Sequence, residues 1–212
     1  MFVRDCWKPH SVDEIYQLID DNPWAMLISH AEHGPLGTNL PLLLDRSEGQ
    51  GIISGHLARG NEHAELLFRE NTPLLAVFQG PYSYVTGSWY PKRDMPSTVY
   101  YTLVHCYGFA SPMTDDVELG RSVEELTQRM EAAYENGWKT TDIPESAITR
   151  RLRHIVGFRL RIDRLEAKFK LGQDEPRKDA LAVADQLAAR SRPEDTWLVE
   201  TIRRYNQNRP SD

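Results

Sequence analysis

Between residues 24 and 108 the chain holds six runs of strand length with room for only one short helix among them, and this spacing constrains its fold more than any other feature. The runs cover 24–29, 36–44, 50–54, 74–79, 82–86 and 99–108, the last rich in β-branched and aromatic residues. Turn-forming compositions separate them: Glu32-His33-Gly34-Pro35, the polar stretch 45–51, and Gly80-Pro81. A helix is expected over 62–68, presenting Leu66, Leu67 and Phe68 to the core and stopped by Asn71-Thr72-Pro73. Strands joined by turns rather than helices predict an α+β chain built on a small antiparallel barrel or sandwich. Pro41 falls inside the second run, which places that strand at an edge or a bulge, where a ligand can approach backbone.

Helical periodicity brackets this region. Ser11 is a candidate N-cap for a helix over 12–19, with Glu14 at the capping-box position. Leu119, Val123, Leu126, Met130 and Ala133 recur every three or four residues and predict a helix over 115–135. A short helix over 145–153, an alternating strand over 155–162 that 165–171 extends, and helices over 178–189 and 193–205 complete the chain. Two regions are expected: a core over 1–145, and a C-terminal strand with a basic helical extension over 146–212. No repeat or low-complexity tract appears.

The formal charge of −6 argues against a chain coated in positive charge for nucleic acid. The charge is uneven: residues 147–212 carry 15 Lys and Arg against 10 Asp and Glu, whereas residues 1–146 carry 10 against 21. Any contact with a polyanion such as DNA belongs to the C-terminal third. Two distant cysteines, Cys6 and Cys106, offer no disulfide framework or zinc spacing, and Cys106 reads as a core residue. No run has the length of a signal peptide's apolar segment or of a membrane span, so a cytoplasmic location without membrane contact is expected.

No P-loop, GxGxxG, HExxH or GxSxG signature is present, and spacing names no catalytic nucleophile, acid or base. His30 and His33 read as surface histidines and His105 as a core one. The remaining signal is the stretch Ser54-Gly55-His56-Leu57-Ala58-Arg59-Gly60-Asn61, read as a strand end opening into a loop. Its hydroxyl, imidazole, guanidinium and amide groups suit an anionic, oxygen-rich ligand, and its glycines permit close backbone approach. Residues 38–42 and the aromatic stretch 82–90 offer walls for a flat heteroaromatic group. An ordinary polar connection and a strand-borne aromatic core or interface account for the same residues, and spacing alone favours them.

Asn39-Leu40-Pro41-Leu42, the Gly55-to-Asn61 stretch, Phe78-Gln79-Gly80-Pro81-Tyr82-Ser83-Tyr84-Val85, Ser88-Trp89-Tyr90, Ile155-Val156-Gly157-Phe158 and Lys168-Phe169-Lys170-Leu171-Gly172-Gln173 together resemble the PaiB-type FMN-binding negative transcriptional regulators. The resemblance runs in order over nearly the whole chain. It implies an FMN-binding split β-barrel, six-stranded, antiparallel and Greek-key-like, with flanking helices and a helical C-terminal extension. It further implies a homodimeric repressor with flavin at the subunit interface. Carried onto this sequence, the cofactor residues are Thr38, Asn39, Leu40, Pro41, Leu42, Ser54, Gly55, His56, Ala58 and Asn61, with Trp89 and Tyr90 covering the partner's flavin. One segment departs from the family: Pro96-Ser97-Thr98-Val99-Tyr100 stands where relatives carry Pro-Thr-Trp-Asn-Tyr, which removes an aromatic ring and an amide from that wall. The alternatives are a flavin-dependent oxidoreductase, or a small-molecule or haem-binding protein of the same barrel without DNA affinity.

Overall fold

Alternation of apolar and polar residues over seven segments builds a single seven-stranded antiparallel sheet, flanked by helices in an α+β fold, in a computed structural model that describes residues 1–67, 69 and 72–210. The strands are β1 (Trp24–Ala31), β2 (Gly34–Pro41), β3 (Leu43–Asp45), β4 (Ile52–Ala58), β5 (Pro73–Val85), β6 (Thr98–Pro112) and β7 (Ile155–Lys170). Their order is β2-β1-β5-β6-β7-β4-β3. The helices are α1 (Val12–Asp21), α2 (Glu62–Leu67), α3 (Asp116–Glu131), α4 (Glu145–Leu152), α5 (Arg177–Ala189) and α6 (Thr196–Asn206). The expectations placed on Phe68 and Asn71 fall outside the described residues.

The count of seven corrects the expected six, and each difference has a local cause. The two runs expected at 74–79 and 82–86 form one strand, β5, because Gly80-Pro81 does not turn the chain. Gly80 is there for space: a Cβ on it would lie 2.3 Å from Thr102 Oγ1 and 2.8 Å from Leu18 Cδ1. The run 36–44 divides at Leu42 into β2 and β3, which have different partners. β7 lies within the sheet, between β6 and β4. The third run is also longer than expected: β4 continues to Ala58, so residues 54–58 are strand, not loop. Seven consecutive residues of β4 pair with β7, from Ile52 opposite Arg161 to Ala58 opposite Ile155. That ladder satisfies backbone groups a loop would leave to water.

Contacts divide the chain into two compact units. One comprises residues 19–78 and 105–165, and it contains β1 to β4 with parts of β5, β6 and β7. Its core alternates along the strands, with Ala25 and Leu27 on β1, Ile53 and Leu57 on β4, and Phe158 and Leu160 on β7 all buried. Helix α3 is capped by Asp115, whose carboxylate accepts from Val117 N at 2.9 Å, and it buries Leu119 and Leu126.

The other unit comprises residues 1–18, 79–104 and 166–212. Its core joins Phe169 to α5 and α6 through Ala180, Val183, Leu187, Leu198 and Ile202. A buried polar cluster sits there as well. Tyr100 donates its hydroxyl proton to the Glu175 carboxylate, and burial holds that carboxyl above its ordinary pKa and pushes the Tyr90 and Tyr100 phenols up. Ser11 caps α1 as expected, accepting from Glu14 N at 3.3 Å, while the Glu14 carboxylate accepts from His10 N rather than closing a reciprocal box.

Candidate functional site

The first unit's strands leave a seam. β2 is one of the sheet's two edge strands, with β3 the other; it pairs with β1 from Trp24 opposite Pro41 to Ala31 opposite Gly34 and, among the described residues, presents its other edge to no strand. The placement of Pro41 on an edge agrees with the sequence reading. β4 pairs with β7 along its whole length but with β3 only through Ile52, Ile53 and Ser54, so among the described residues no strand pairs with the other edge of residues 55–58, where Ala58 O accepts from Asn61 N. Leu42 alone separates β2 from β3, and its N–H donates to Pro23 O at 2.8 Å.

At one end side chains bridge the seam. The Thr38 hydroxyl lies 2.7 Å from His63 Nδ1, and Asn61 Nδ2 donates to Thr38 Oγ1 at 3.4 Å. Asn61 holds the start of α2 in place: its Oδ1 accepts from His63 N at 2.9 Å, and its own N–H donates to Ala58 O at 2.9 Å. His63 is fully buried, yet its Nε2 has no partner among the described residues, and burial lowers its pKa against the opposing field of Glu62. Burial thus favours the neutral ring, with one nitrogen toward Thr38 and, among the described residues, the other unsatisfied. His56 Nδ1 is buried and without a partner in the same way, with its pKa lowered by burial. Each such orphan costs about 1–3 kcal/mol, and buried polar atoms are normally paired. Two of them beside one seam call for an outside partner.

Arg59 supplies the positive charge. Its Nε donates to Arg153 O at 3.0 Å and its Nη2 to Ile155 O at 3.1 Å, which locks the guanidinium against the start of β7. Among the described residues it has no carboxylate partner, so its charge stays available to an anion. The contacts bring together a hydroxyl, an amide and an imidazole, groups suited to a phosphate-bearing ligand, and an open strand edge suits the hydrogen-bonding rim of a flat ring; Arg59 is held on the β7 side of β4.

The sequence-derived residues distribute unevenly over this seam. Thr38 and Asn61 meet directly. Leu40 and Leu42 are 4% and 1% exposed and belong to the core, whereas Asn39 stands opposite Met26 on the outer face. Strand alternation splits the β4 residues: Gly55 is buried between Ile53 and Leu57, while Ser54, His56 and Ala58 take the other face. Ser54 lies opposite Leu43 and Arg159, and His56 opposite Gly157. Trp89 and Tyr90 belong to the other unit, where Trp89 is half-buried with the Arg190 guanidinium 6.0 Å from its ring and Tyr90 is 1% exposed. In the departing segment, Ser97 Oγ accepts from Gly87 N at 3.0 Å and Thr98 Oγ1 accepts from Lys170 Nζ. His63 is the residue that sequence reasoning missed. Its sequence signal is slight: an imidazole two residues after the asparagine that opens a short helix.

Among the described residues there is no cluster of His, Cys, Asp and Glu able to hold a metal ion, and no helix long and apolar enough to cross a membrane. His30 is exposed, and His33 pairs at 3.4 Å with Glu62 on the surface. His105 is half-buried, 3.1 Å from Tyr107 Oη.

Several known proteins share this architecture. The flavocytochrome Anf3 from Azotobacter vinelandii superposes with a TM-score of 0.60 at 11% identity, over 77% of this chain and 69% of that one. The FAD and heme binding protein from Mycobacterium smegmatis gives 0.56 at 16% identity, over 77% and 73%. At these identities the likeness is one of fold. In sequence, the protease synthase and sporulation protein PAI 2 of Bacillus subtilis is 28% identical over 202 residues, 95% of this chain and 96% of that protein. The family described as "Putative FMN-binding domain" matches residues 1–164, which include the whole seam from Thr38 to His63, and the chain belongs to that family.

Proposed function

We propose that the chain is a flavin-dependent redox protein that binds FMN along the seam between β2 and β4. The observation that carries this reading is the Thr38–Asn61–His63 bridge between β2 and the start of α2, with two buried imidazole nitrogens lacking partners among the described residues. Arg59, Asn61 and Thr38 hold the phosphate. The open edges of β2 and of residues 55–58 meet the polar rim of the ring system. His63 and His56, whose pKa values are lowered by burial, add hydrogen bonds. Bound flavin would supply one- and two-electron transfer, for which no side chain of this chain substitutes. The working form is a homodimer in which Trp89, the member of the Trp89–Tyr90 pair with surface to offer, covers the partner's flavin. Ser97-Thr98-Val99 leaves this cover smaller than in PaiB-type relatives and the ring more open to a second substrate.

The test is titration of the apo-protein with FMN, followed by flavin fluorescence and visible absorption. Saturable binding of one FMN per chain is expected, weakened about tenfold or more by Arg59→Ala or Thr38→Val, since a hydrogen bond to a charged group contributes about 1.5–3 kcal/mol. Turnover of reduced nicotinamide by the loaded protein, with dimer mass in solution, completes the case. Binding that is absent, or unaffected by both substitutions, removes the proposal. A haem Soret band without flavin would redirect it to haem.

A second reading, a PaiB-like repressor, is favoured by collinearity with the B. subtilis protein beyond residue 164, into the part of the chain that carries the basic excess. Specific retardation of the chain's own promoter DNA over random DNA at 150 mM salt would favour it over the redox reading.

A further inference from the structure

The α3 and α4 helices enclose a groove of about 780 Å³ that the seam does not use. Its floor is apolar, formed by Val117, Val123, Ile148 and Leu152, and Val117 is 58% exposed. The charged side chains that line it are all acidic: Asp116, Glu124 and Glu145. Asp116 and Glu145 occupy first helical turns, where carboxylates complement the helix dipole. Glu124 stands in mid-helix, where that explanation fails, and among the described residues it accepts from Gln128 alone, at 3.3 Å. Glu118, by contrast, turns to Arg159 in a 3.1 Å ion pair and is not part of the lining.

Gly120 points to an occupant. It sits in the middle of α3, where glycine costs about 0.5–1 kcal/mol relative to alanine. Packing of α3 on α4 does not demand it, because a Cβ there would meet only Leu152 Cδ1, at an ordinary 3.7 Å. Its missing side chain instead deepens the groove it lines. From Asp116 to Glu124 the wall is about 12 Å long at 1.5 Å per residue, the span of about two helical turns.

From this we infer that the groove docks a basic amphipathic helix of a partner protein. Apolar side chains at i, i+3, i+4 and i+7 lie on Val117, Val123, Ile148 and Leu152, and Lys or Arg on its flanks meet Asp116, Glu124 and Glu145. The acid-lined rim selects against an acidic helix, and the apolar floor against a merely polybasic tail.

The test uses the full chain and a fluorescein-labelled amphipathic helix of about 14 residues built from Leu and Lys, a length at which isolated helices become possible. Anisotropy at 150 mM salt should show one peptide per chain. Gly120→Leu fills the groove and improves helix propensity, so it should weaken binding about tenfold or more without lowering the melting temperature. Glu124→Lys should weaken it comparably and serves as the check if the first variant misfolds. Three outcomes overturn the inference: unchanged binding by both variants, equal binding of a peptide of the same composition in non-amphipathic order, and self-association of the chain that Gly120→Leu abolishes.

Discussion

Gly55 is the position at which the seam is most sensitive to a single methyl group. A Cβ on it would lie 2.5 Å from Leu42 Cδ2, 3.3 Å from Pro41 O and 3.5 Å from Phe158 Cε1. Carbon atoms in good contact sit about 3.5–4.0 Å apart, so Gly55→Ala overlaps Leu42 by roughly 1 Å. The leucine cannot swing into water at little cost, because it is 1% exposed and forms the only link between β2 and β3. Overpacking of this kind costs about 1–3 kcal/mol, offset by about 0.5–1 kcal/mol for replacing a strand glycine, which leaves a net destabilisation of up to about 2.5 kcal/mol. Leu42→Ala alone should cost about 2–5 kcal/mol through the cavity it leaves. In that background the alanine at 55 meets empty space and its cost should vanish or reverse, for a coupling of about 2 kcal/mol. Urea denaturation of the four proteins measures this directly, with an unchanged m-value confirming that only stability moves. If Gly55→Ala costs the same in both backgrounds, the close approach of Leu42 to β4 is not what excludes a side chain at position 55.

Three further outcomes follow from burial. His56 and His63 both have pKa values lowered by burial, so the unfolded chain binds more protons than the folded one below about pH 6.5. Their contribution to stability is complete above pH 6.5 and is lost as pH falls toward the folded pKa values, at up to about 1.4 kcal/mol per pH unit for each ring; denaturation of wild type and His63→Asn between pH 7.5 and 5 should show a shallower loss in the variant, and equal slopes would exclude a buried neutral His63. Glu175 has the opposite sign: its pKa is raised by burial, so its contribution is complete below about 4.5 and is lost as pH rises through the folded value. Glu175→Gln keeps an acceptor for Tyr100 and should remove that loss, making the variant at least as stable as wild type at pH 8; a less stable variant there would mean the ionised carboxylate is needed. Burial pushes the Cys106 thiol up to about 12, whereas Cys6 is exposed, so a thiol reagent should modify one cysteine per native chain and two after unfolding.

Local patterns made most of the elements legible. β1 announces itself by an apolar run, β6 by β-branched and aromatic composition and α3 by period, and Pro41 marks its strand as an edge or a bulge, of which it is an edge. The errors share one cause. Gly80-Pro81 and Gly55 look like punctuation, because in isolation glycine favours turns, but here they answer to neighbours distant in sequence: Thr102 and Leu18 for the first, Leu42 for the second. His63 was missed for the same reason, since its bond to Thr38 spans 25 residues that no local window contains. The partners of Arg59 were hidden likewise, because the carbonyls that lock it are supplied by residues 153 and 155.

The seam itself follows from covalent geometry. β3 pairs with β4 in a register that sets Leu43 against Ser54, Leu44 against Ile53 and Asp45 against Ile52. Continued backward, the same register would set Leu42 against Gly55 and Pro41 against His56. Pro41 has no N–H to give, and its stretch instead runs along β1, where Pro41 stands opposite Trp24. One length of chain thus serves two partners, β1 before Leu42 and β4 after it, and bends away from β4 where proline withdraws a donor. The backbone edges left between β2 and residues 55–58 cannot be closed by the chain's own strands. A polar seam in a packed sheet is costly to leave unmade, and at its end the Thr38–Asn61–His63 bridge leaves an imidazole nitrogen without a partner among the described residues, as the proposed flavin site requires. Replacing Pro41 with an N–H-bearing residue such as valine should therefore extend the β3–β4 ladder past Leu42 and weaken FMN binding while raising stability; hydrogen exchange at position 41 and FMN titration of the variant would read both effects.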